Sequence, residues 1–596
     1  MNIIMILDKM EKMTFHIGRW ECSLLFVVRL LMVGLFPLFI ALATELNHIQ
    51  SLGSLFSFMG HNLHILLLDY FIVSVAFLLV SLLFKKTFIS MAITGLLFYI
   101  ISWVEYFKYD VSGTHFTITD LQMTSNATDI AKFANIHLTW YLVLTFLLLV
   151  GYVVAAYFFR LENKVRLKYR MLSFCATFAV VCVFFVTPTM AMGVFRLFDV
   201  EESNTTNVFM ADKQFQETNL IPYFTQSTAE FFSTRVTRPQ GYSQETVASM
   251  LVQNTNEDVS DVKPNVVMIM SESFADFRRL EQLDVDPTIY ENFDQAREEG
   301  FGGTCVVPTF GGYTVRTEFE LLTGMPVKSL NTPVAPQKLL KEDTENSSIV
   351  SFYKDSGYKS YYIHPFSSSF YGRKNIYSTF GFDKMYFEND LTVEKTRYGA
   401  NQYINDETLY NQILKQLGET DEPCLIFTTT MQNHQPYSGN GTGDAEFSLY
   451  LDGIRESDRA LGQFLEQLKE SDEPTIVFFV GDHYPMFTHS NTTYQDAGID
   501  YTNSAEIYQQ SYLVWSNYDA DFSCLPDEEV SSFYLPYLLI DVADLPQTQL
   551  VSSMLEHMKI VPVYSPTANV QVDSDDFLDM LTYDRVFGQN FCSDAG

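Results

Sequence analysis

Thr475-Ile476-Val477-Phe478-Phe479-Val480-Gly481-Asp482-His483-Tyr484-Pro485 is an unbroken apolar run that ends in a glycine, a carboxylate and an imidazole. A run this short and this continuous suits an inner strand of a parallel sheet, buried on both faces. Ligands of open α/β sheets bind beyond the carboxyl ends of the strands. The residues to weigh are therefore those that follow each such run. Val266–Met270 is followed by Ser271-Glu272-Ser273-Phe274, and Tyr358–Ile363 by His364-Pro365. Cys424–Thr428 leads to Met431-Gln432-Asn433-His434-Gln435-Pro436-Tyr437, and Tyr512–Trp515 reads as a fifth strand of the same kind. Between them Phe447–Lys469 has the helical period, with Leu449, Leu451, Ile454, Leu461, Phe464, Leu465 and Leu468 on one apolar face. The alternation predicts an α/β domain with a mostly parallel central sheet and helices on both faces.

The residue types at the strand ends point to metal-assisted chemistry. Glu272, Asp482 and His483 offer two carboxylates and a nitrogen, a set suited to Mn²⁺ and also to Mg²⁺ or Zn²⁺. Gly311-Gly312-Tyr313-Thr314-Val315-Arg316-Thr317-Glu318-Phe319-Glu320 places a hydroxyl at what reads as a helix start. Alone, this pattern is the ordinary mark of a turn with an N-cap threonine. Beside a divalent ion, Thr314 loses its proton far more easily and becomes a nucleophile. His434, His364 and Arg373 are candidates to orient a phosphate or to handle the leaving-group proton, and arginine's planar fork suits phosphate. Each has a plainer reading: Glu272 as a cap, the histidines as satisfied core residues, Arg373-Lys374 as a solvated basic pair. Glu318 is expected to cap or orient the nucleophile turn rather than to bind metal.

The first third of the chain is of another kind. Five apolar stretches, roughly 22–43, 63–84, 87–107, 139–159 and 171–193, are each near the length needed to cross a bilayer. Lys9, Lys12 and Arg19 precede the first, Lys85 and Lys86 follow the second, and Arg160, Lys164, Arg166, Lys168 and Arg170 fill the fourth connection. The positive-inside rule makes these clusters and the N-terminus cytoplasmic, and five spans leave the remainder outside. Arg29 and Asp69 fall inside spans, where they are expected to snorkel or to pair with each other. With 71 acidic against 38 basic residues, net charge −33, a nucleic acid is excluded as partner. The resulting plan is a five-span domain (1–198), a polar linker (199–262) with one short helix near 243–252, and an outer domain (263–596). No zinc-type cysteine spacing occurs among the 7 cysteines, and a Cys305–Cys424 or Cys524–Cys592 bridge is left open.

Taken together, strand–Glu272, Gly-Gly-x-Thr314, His364-Pro with Arg373, Asn-His434 and strand–Gly-Asp482-His483 resemble the lipoteichoic acid synthase family, membrane-anchored relatives of sulfatases and alkaline phosphatases. The resemblance covers nearly the whole chain. It implies a sulfatase-like outer domain in a bacterial cell membrane, Mn²⁺ held by Glu272, Thr314, Asp482 and His483, and Thr314 as nucleophile. His434, His364, Arg373 and Tyr371 fall on positions that line the family's substrate pocket. The implied reaction moves glycerol phosphate from phosphatidylglycerol to a polyglycerol-phosphate or glycolipid acceptor. Phe366 and Tyr371 depart from the family's Asp and Trp, which leaves the head group open; phosphoethanolamine transfer and phosphodiester hydrolysis are the alternatives, with an inactive polymer-binding scaffold as the non-enzyme reading. Cys305-Val306-Val307-Pro308 does not match the formylglycine motif that a true sulfatase needs.

Overall fold

The computed structural model describes residues 3–17, 20–112, 114–121, 138–200, 214–233, 236–253, 262–332, 334–342, 345–399, 401–437, 443–487, 492–499, 505–566 and 572–593. The chain divides into two compact units, with the principal boundary between Thr234 and Arg235.

In the first unit five helices are long and apolar enough to cross a membrane: α1 (Leu24–Ile49), α2 (Leu63–Leu83), α3 (Thr87–Ser112), α4 (Trp140–Phe158) and α5 (Leu167–Val186). Hydrophobic burial does not drive spans together within lipid, so polar contacts matter. Asn47 Nδ2 donates to Ser102 Oγ at 2.7 Å and Thr145 Oγ1 donates to Asn47 Oδ1 at 2.7 Å, which ties α1, α3 and α4 through one buried amide. Arg29 and Asp69 do not form an ion pair among the described residues. Arg29 Nε donates instead to the Phe159 carbonyl, 2.9 Å away at the end of α4, where that carbonyl lacks a helical partner. The segment expected as a linker contains, among its described residues, a short helical stretch at 214–218, α6 (Leu220–Ser233), which packs within the first unit, and Gln244–Met250 in the second.

The second unit is built on an eight-stranded sheet. Its strands are β1 (Asn265–Ser271), β2 (Phe301–Val306), β3 (Lys359–Ile363), β4 (Lys384–Tyr386), β5 (Cys424–Thr429), β6 (Thr475–Gly481), β7 (Gln509–Ser516) and β8 (Val530–Ser531). The order across the sheet is β8-β2-β7-β6-β1-β5-β3-β4. The central run β6-β1-β5-β3 is parallel, as the apolar runs imply. Along β1, Val266, Met268 and Met270 face one core and Val267 and Ile269 the other, so alternate side chains are buried on both sides. Helix α7 (Thr314–Thr323) contributes Phe319, Leu321 and Leu322 to the first core, and α8 (Gly443–Lys469) covers the opposite face with Ile454, Leu461, Phe464, Leu465 and Leu468.

Three details differ from the sequence reading. β7 is as apolar as its neighbours but runs antiparallel to both β6 and β2, because burial on two faces does not encode strand direction. β2 carries Gly302-Gly303 and has no strand-like composition. The Tyr512 ring lies 2.4 Å from where a Cβ on Gly303 would stand, and the Arg297 side chain 2.2 Å from where one on Gly302 would. On α8 the buried stripe runs through Tyr450 rather than Leu449, which is exposed.

Candidate metal centre and nucleophile

Parallel pairing brings the first two carboxylates together. The β1–β6 register ends at Ser271 opposite Gly481, so Glu272 and Asp482 leave the sheet side by side. Ser273 turns into the left-handed region (φ 53°) and its N–H donates to Asp482 Oδ1 at 2.7 Å. The crossing is so close that a Cβ on Gly481 would stand 1.8 Å from the Phe274 carbonyl oxygen; only glycine passes. Glu272 is fixed from two sides. Its N–H donates to Thr430 Oγ1 at 3.0 Å, and Ser273 Oγ donates to its Oε1 at 2.9 Å.

The turn that carries Thr314 arrives from the neighbouring loop. Gly311, Gly312 and Tyr313 have φ of 67°, 149° and 58°, an arrangement that leaves two of the three positions to glycine. Gly311 N–H is tied to the Tyr484 carbonyl at 2.9 Å, directly after His483. Tyr313 is the N-cap, and Thr314 is the first residue of α7. Its hydroxyl therefore does not cap the helix. It donates to Glu272 Oε2 at 3.3 Å. Thr317 Oγ1, a turn further on, donates to the Asp482 carbonyl at 2.8 Å and fastens the helix to β6.

Donor atoms of Glu272, Asp482 and His483 lie within 4.8 Å of one another, and all three residues are buried. His483 Nδ1 lies 2.9 Å from the Tyr484 carbonyl. A carbonyl only accepts, so Nδ1 carries the proton and Nε2 presents a lone pair. That lone pair faces Asp482 Oδ2 at 3.1 Å, and among the described residues neither atom has a hydrogen-bond donor. Two acceptors so placed in a buried pocket ask for a shared cation. Burial raises the pKa of Glu272, with Asp482 adding repulsion, and pushes that of Asp482 up to about 7; burial lowers His483. These residues fit a divalent metal. The carboxylates are strained as bare anions, and the imidazole resists becoming a cation.

The remaining candidates ring this centre. His434 acts electrostatically on both Glu272 and His483, and its Nδ1–H donates to the Gln435 carbonyl at 2.7 Å. His364 is buried. Its Nδ1–H donates to the Thr429 carbonyl at 2.9 Å, and burial, with Arg373 nearby, holds its pKa well below the usual histidine range. Tyr371 sits in the left-handed region (φ 56°), with the Arg373 guanidinium 5.2 Å from its ring and Glu272 and Tyr313 among its electrostatic neighbours. Arg373 is not a solvated partner of Lys374: it is 2% exposed, whereas Lys374 is exposed. Phe366 packs in a small apolar cluster with Tyr403, Met431 and Phe370. Thr430, Ser273 and Thr429 were not singled out by the sequence. The only signal for them was the threonine run 428–430 at the end of β5 and the serines flanking Glu272.

The family model described as Sulfatase matches residues 264–558. A protein of Rhizobium meliloti (strain 1021), named for a proposed role in cyclic beta-1,2-glucan modification, is 31% identical over 280 residues, 43% of this chain and 42% of its own length. Lipoteichoic acid synthase of Staphylococcus aureus (strain bovine RF122 / ET3-1) is 24% identical over 247 residues, 38% of this chain and 37% of its own. The chain thus spans less than half the length of these curated relatives. Among solved structures, Streptococcus pyogenes phosphoglycerol transferase GacH in complex with sn-glycerol-1-phosphate aligns with a TM-score of 0.51 at 23% identity, covering 61% of this chain and 98% of that one.

Proposed function

We propose, from the match of residues 264–558 to the sulfatase family and their similarity to lipoteichoic acid synthase, that the protein transfers glycerol phosphate from phosphatidylglycerol to a polyglycerol-phosphate or glycolipid acceptor through a covalent intermediate on Thr314. The reading is supported above all by one contact. The Thr314 hydroxyl lies 3.3 Å from Glu272 Oε2, at the point where Glu272, Asp482 and His483 converge.

A divalent cation, Mn²⁺ ahead of Mg²⁺ or Zn²⁺, would be held by Glu272, Thr314, Asp482 and His483, and would supply Lewis acidity at the hydroxyl and at the phosphoryl oxygens. The protein's own groups do the rest. Glu272 Oε2 already accepts the Thr314 hydroxyl hydrogen and draws it off as Oγ1 bonds to phosphorus. The bond from phosphorus to the diacylglycerol oxygen breaks, and that oxygen takes a proton from His434. An acceptor hydroxyl then attacks the same phosphorus and passes its proton to His434, and the bond from phosphorus to Thr314 Oγ1 breaks as that oxygen recovers its proton from Glu272. Arg373 and His364 orient the phosphoryl group and head group meanwhile. The membrane spans keep the site at the surface that holds the donor's acyl chains, with the N-terminus cytoplasmic and the catalytic domain outside.

The test uses full-length protein in vesicles of phosphatidylglycerol labelled in the head group. Wild type releases diacylglycerol and carries label on Thr314. Thr314→Ala loses turnover by about 10³-fold or more, whereas a binding scaffold would be indifferent to the change. No label on Thr314 under single-turnover conditions overturns the mechanism, and diacylglycerol released only from phosphatidylethanolamine reassigns the head group. A second reading of the acceptor, a saccharide hydroxyl, is favoured by the 31%-identical relative named for glucan modification.

A further inference from the structure

One carboxylate beside the site takes no part in the metal centre, and its surroundings are unusually complete. Glu318 lies one helical turn after Thr314 and is buried within α7. Tyr377 OH donates to its Oε2 at 2.6 Å, Tyr362 OH to its Oε1 at 3.0 Å, and Thr429 Oγ1 to its Oε1 at 2.5 Å. Arg373 Nε reaches both oxygens, at 3.2 and 3.0 Å, and Nη2 stands 3.0 Å from Oε2. The Nε–Nη2 edge of the guanidinium is thus committed to Glu318. Among the described residues Nη1 makes no hydrogen bond, and that outer edge is free for a ligand. The fork's plane is held from the side by the Tyr371 ring. Thr429 serves twice, since its carbonyl accepts from His364 while its hydroxyl donates to Glu318.

We infer that Glu318 is a positioning residue: it aims the outer edge of Arg373 at the phosphate and fixes that edge to the helix carrying Thr314, so that nucleophile and phosphate clamp move as one body. The inference rests on the reading of the site as a phosphoryl-transfer centre. The geometry argues for it over a helix cap, because Glu318 lies inside the first turns and its carboxylate bonds to side chains from β3, β5 and the segment after β3 rather than to free N–H groups. A planar fork oriented by a carboxylate behind it loses less freedom on gripping phosphate than one swinging from its own stem.

The experiment is a double-variant cycle on full-length, Mn²⁺-loaded protein, read by calorimetric affinity for inorganic phosphate and, separately, by diacylglycerol release. Arg373→Ala and Glu318→Gln are each expected to weaken phosphate by about 30-fold or more, and the double variant to fall within about threefold of Arg373→Ala alone. Bound Mn²⁺ stays at the wild-type level throughout. Glu318→Gln disturbs a buried pair and is open to misfolding. Tyr377→Phe therefore removes a single donor from the carboxylate, with an expected loss of about threefold in phosphate affinity in protein that still unfolds cooperatively, at a somewhat lower melting temperature. Losses that multiply in the double variant, loss of Mn²⁺ from Glu318→Gln, or wild-type protein that takes up no phosphate each overturn the inference. If the phosphate cycle holds while phosphatidylglycerol is not turned over, the inference stands and the proposed reaction falls.

Discussion

Asp482 and His483 show how single residues commit the site. With His483 Nδ1 tied to a backbone carbonyl, Nε2 is a lone pair, and it faces Asp482 Oδ2 across 3.1 Å. Because the Asp482 carboxyl is pushed up to about 7 by burial, metal must displace a proton from it below neutrality. Affinity for Mn²⁺ should therefore rise with pH, by up to about tenfold per unit below pH 7, and level off above it. Titration calorimetry at pH 5.5, 6.5 and 7.5 checks this, and Asp482→Asn should weaken binding and abolish the slope. Chelation should remove activity, and added Mn²⁺ should restore it.

At the scale of elements, α7 and the β1–β6 pair carry the argument. Glu320 lies near the end of α7, buried, accepting from Val327 N–H at 2.9 Å and from Ser532 Oγ. Burial pushes its pKa up to about 8 from 4.5. A folded-state value above the unfolded one means the protonated carboxyl contributes stability that is fully present below about 4.5 and lost as pH rises through about 8. Thermal unfolding of wild type should therefore weaken over that window, with a slope of at most about 1.4 kcal/mol per unit from this one group, and Glu320→Gln should flatten the slope. Gly481→Ala drives a Cβ into the Phe274 carbonyl. It should cost about 1–3 kcal/mol or more, as overpacking of a tight interior does, and should lower metal affinity as well, since Asp482 is the next residue.

For the whole molecule, the charge asymmetry around five apolar helices is the ground for the proposal that the second unit lies outside. Lys374 is exposed. A Lys374→Cys variant should react with a membrane-impermeant maleimide in intact cells, and labelling only after lysis would invert the orientation. The seven natural cysteines are all free, none of the possible bridges being formed, with Cys305, Cys424 and Cys592 buried, Cys175 and Cys182 inside the α5 span and Cys22 on the cytoplasmic side by the same reading, so the background of that experiment in intact cells is set by the partly exposed Cys524.

The strand ends were legible in the chain because an inner parallel strand leaves a periodicity that needs no partner to be read, and because its last residue marks where a ligand can sit. The five spans were legible for a similar reason: length and apolarity alone fit them to a bilayer. Composition does not carry pairing. β7 has the look of a parallel strand and runs the other way, β2 hides behind two glycines that admit the Arg297 and Tyr512 side chains, and α6 lies in a segment with no strong period. The largest gain from the tertiary structure is at Glu318 and Arg373. They are 55 positions apart in the chain, and only the folding of β3 and β5 against α7 joins a carboxylate expected to cap or orient the Thr314 turn and an arginine expected to bind phosphate in one buried ion pair.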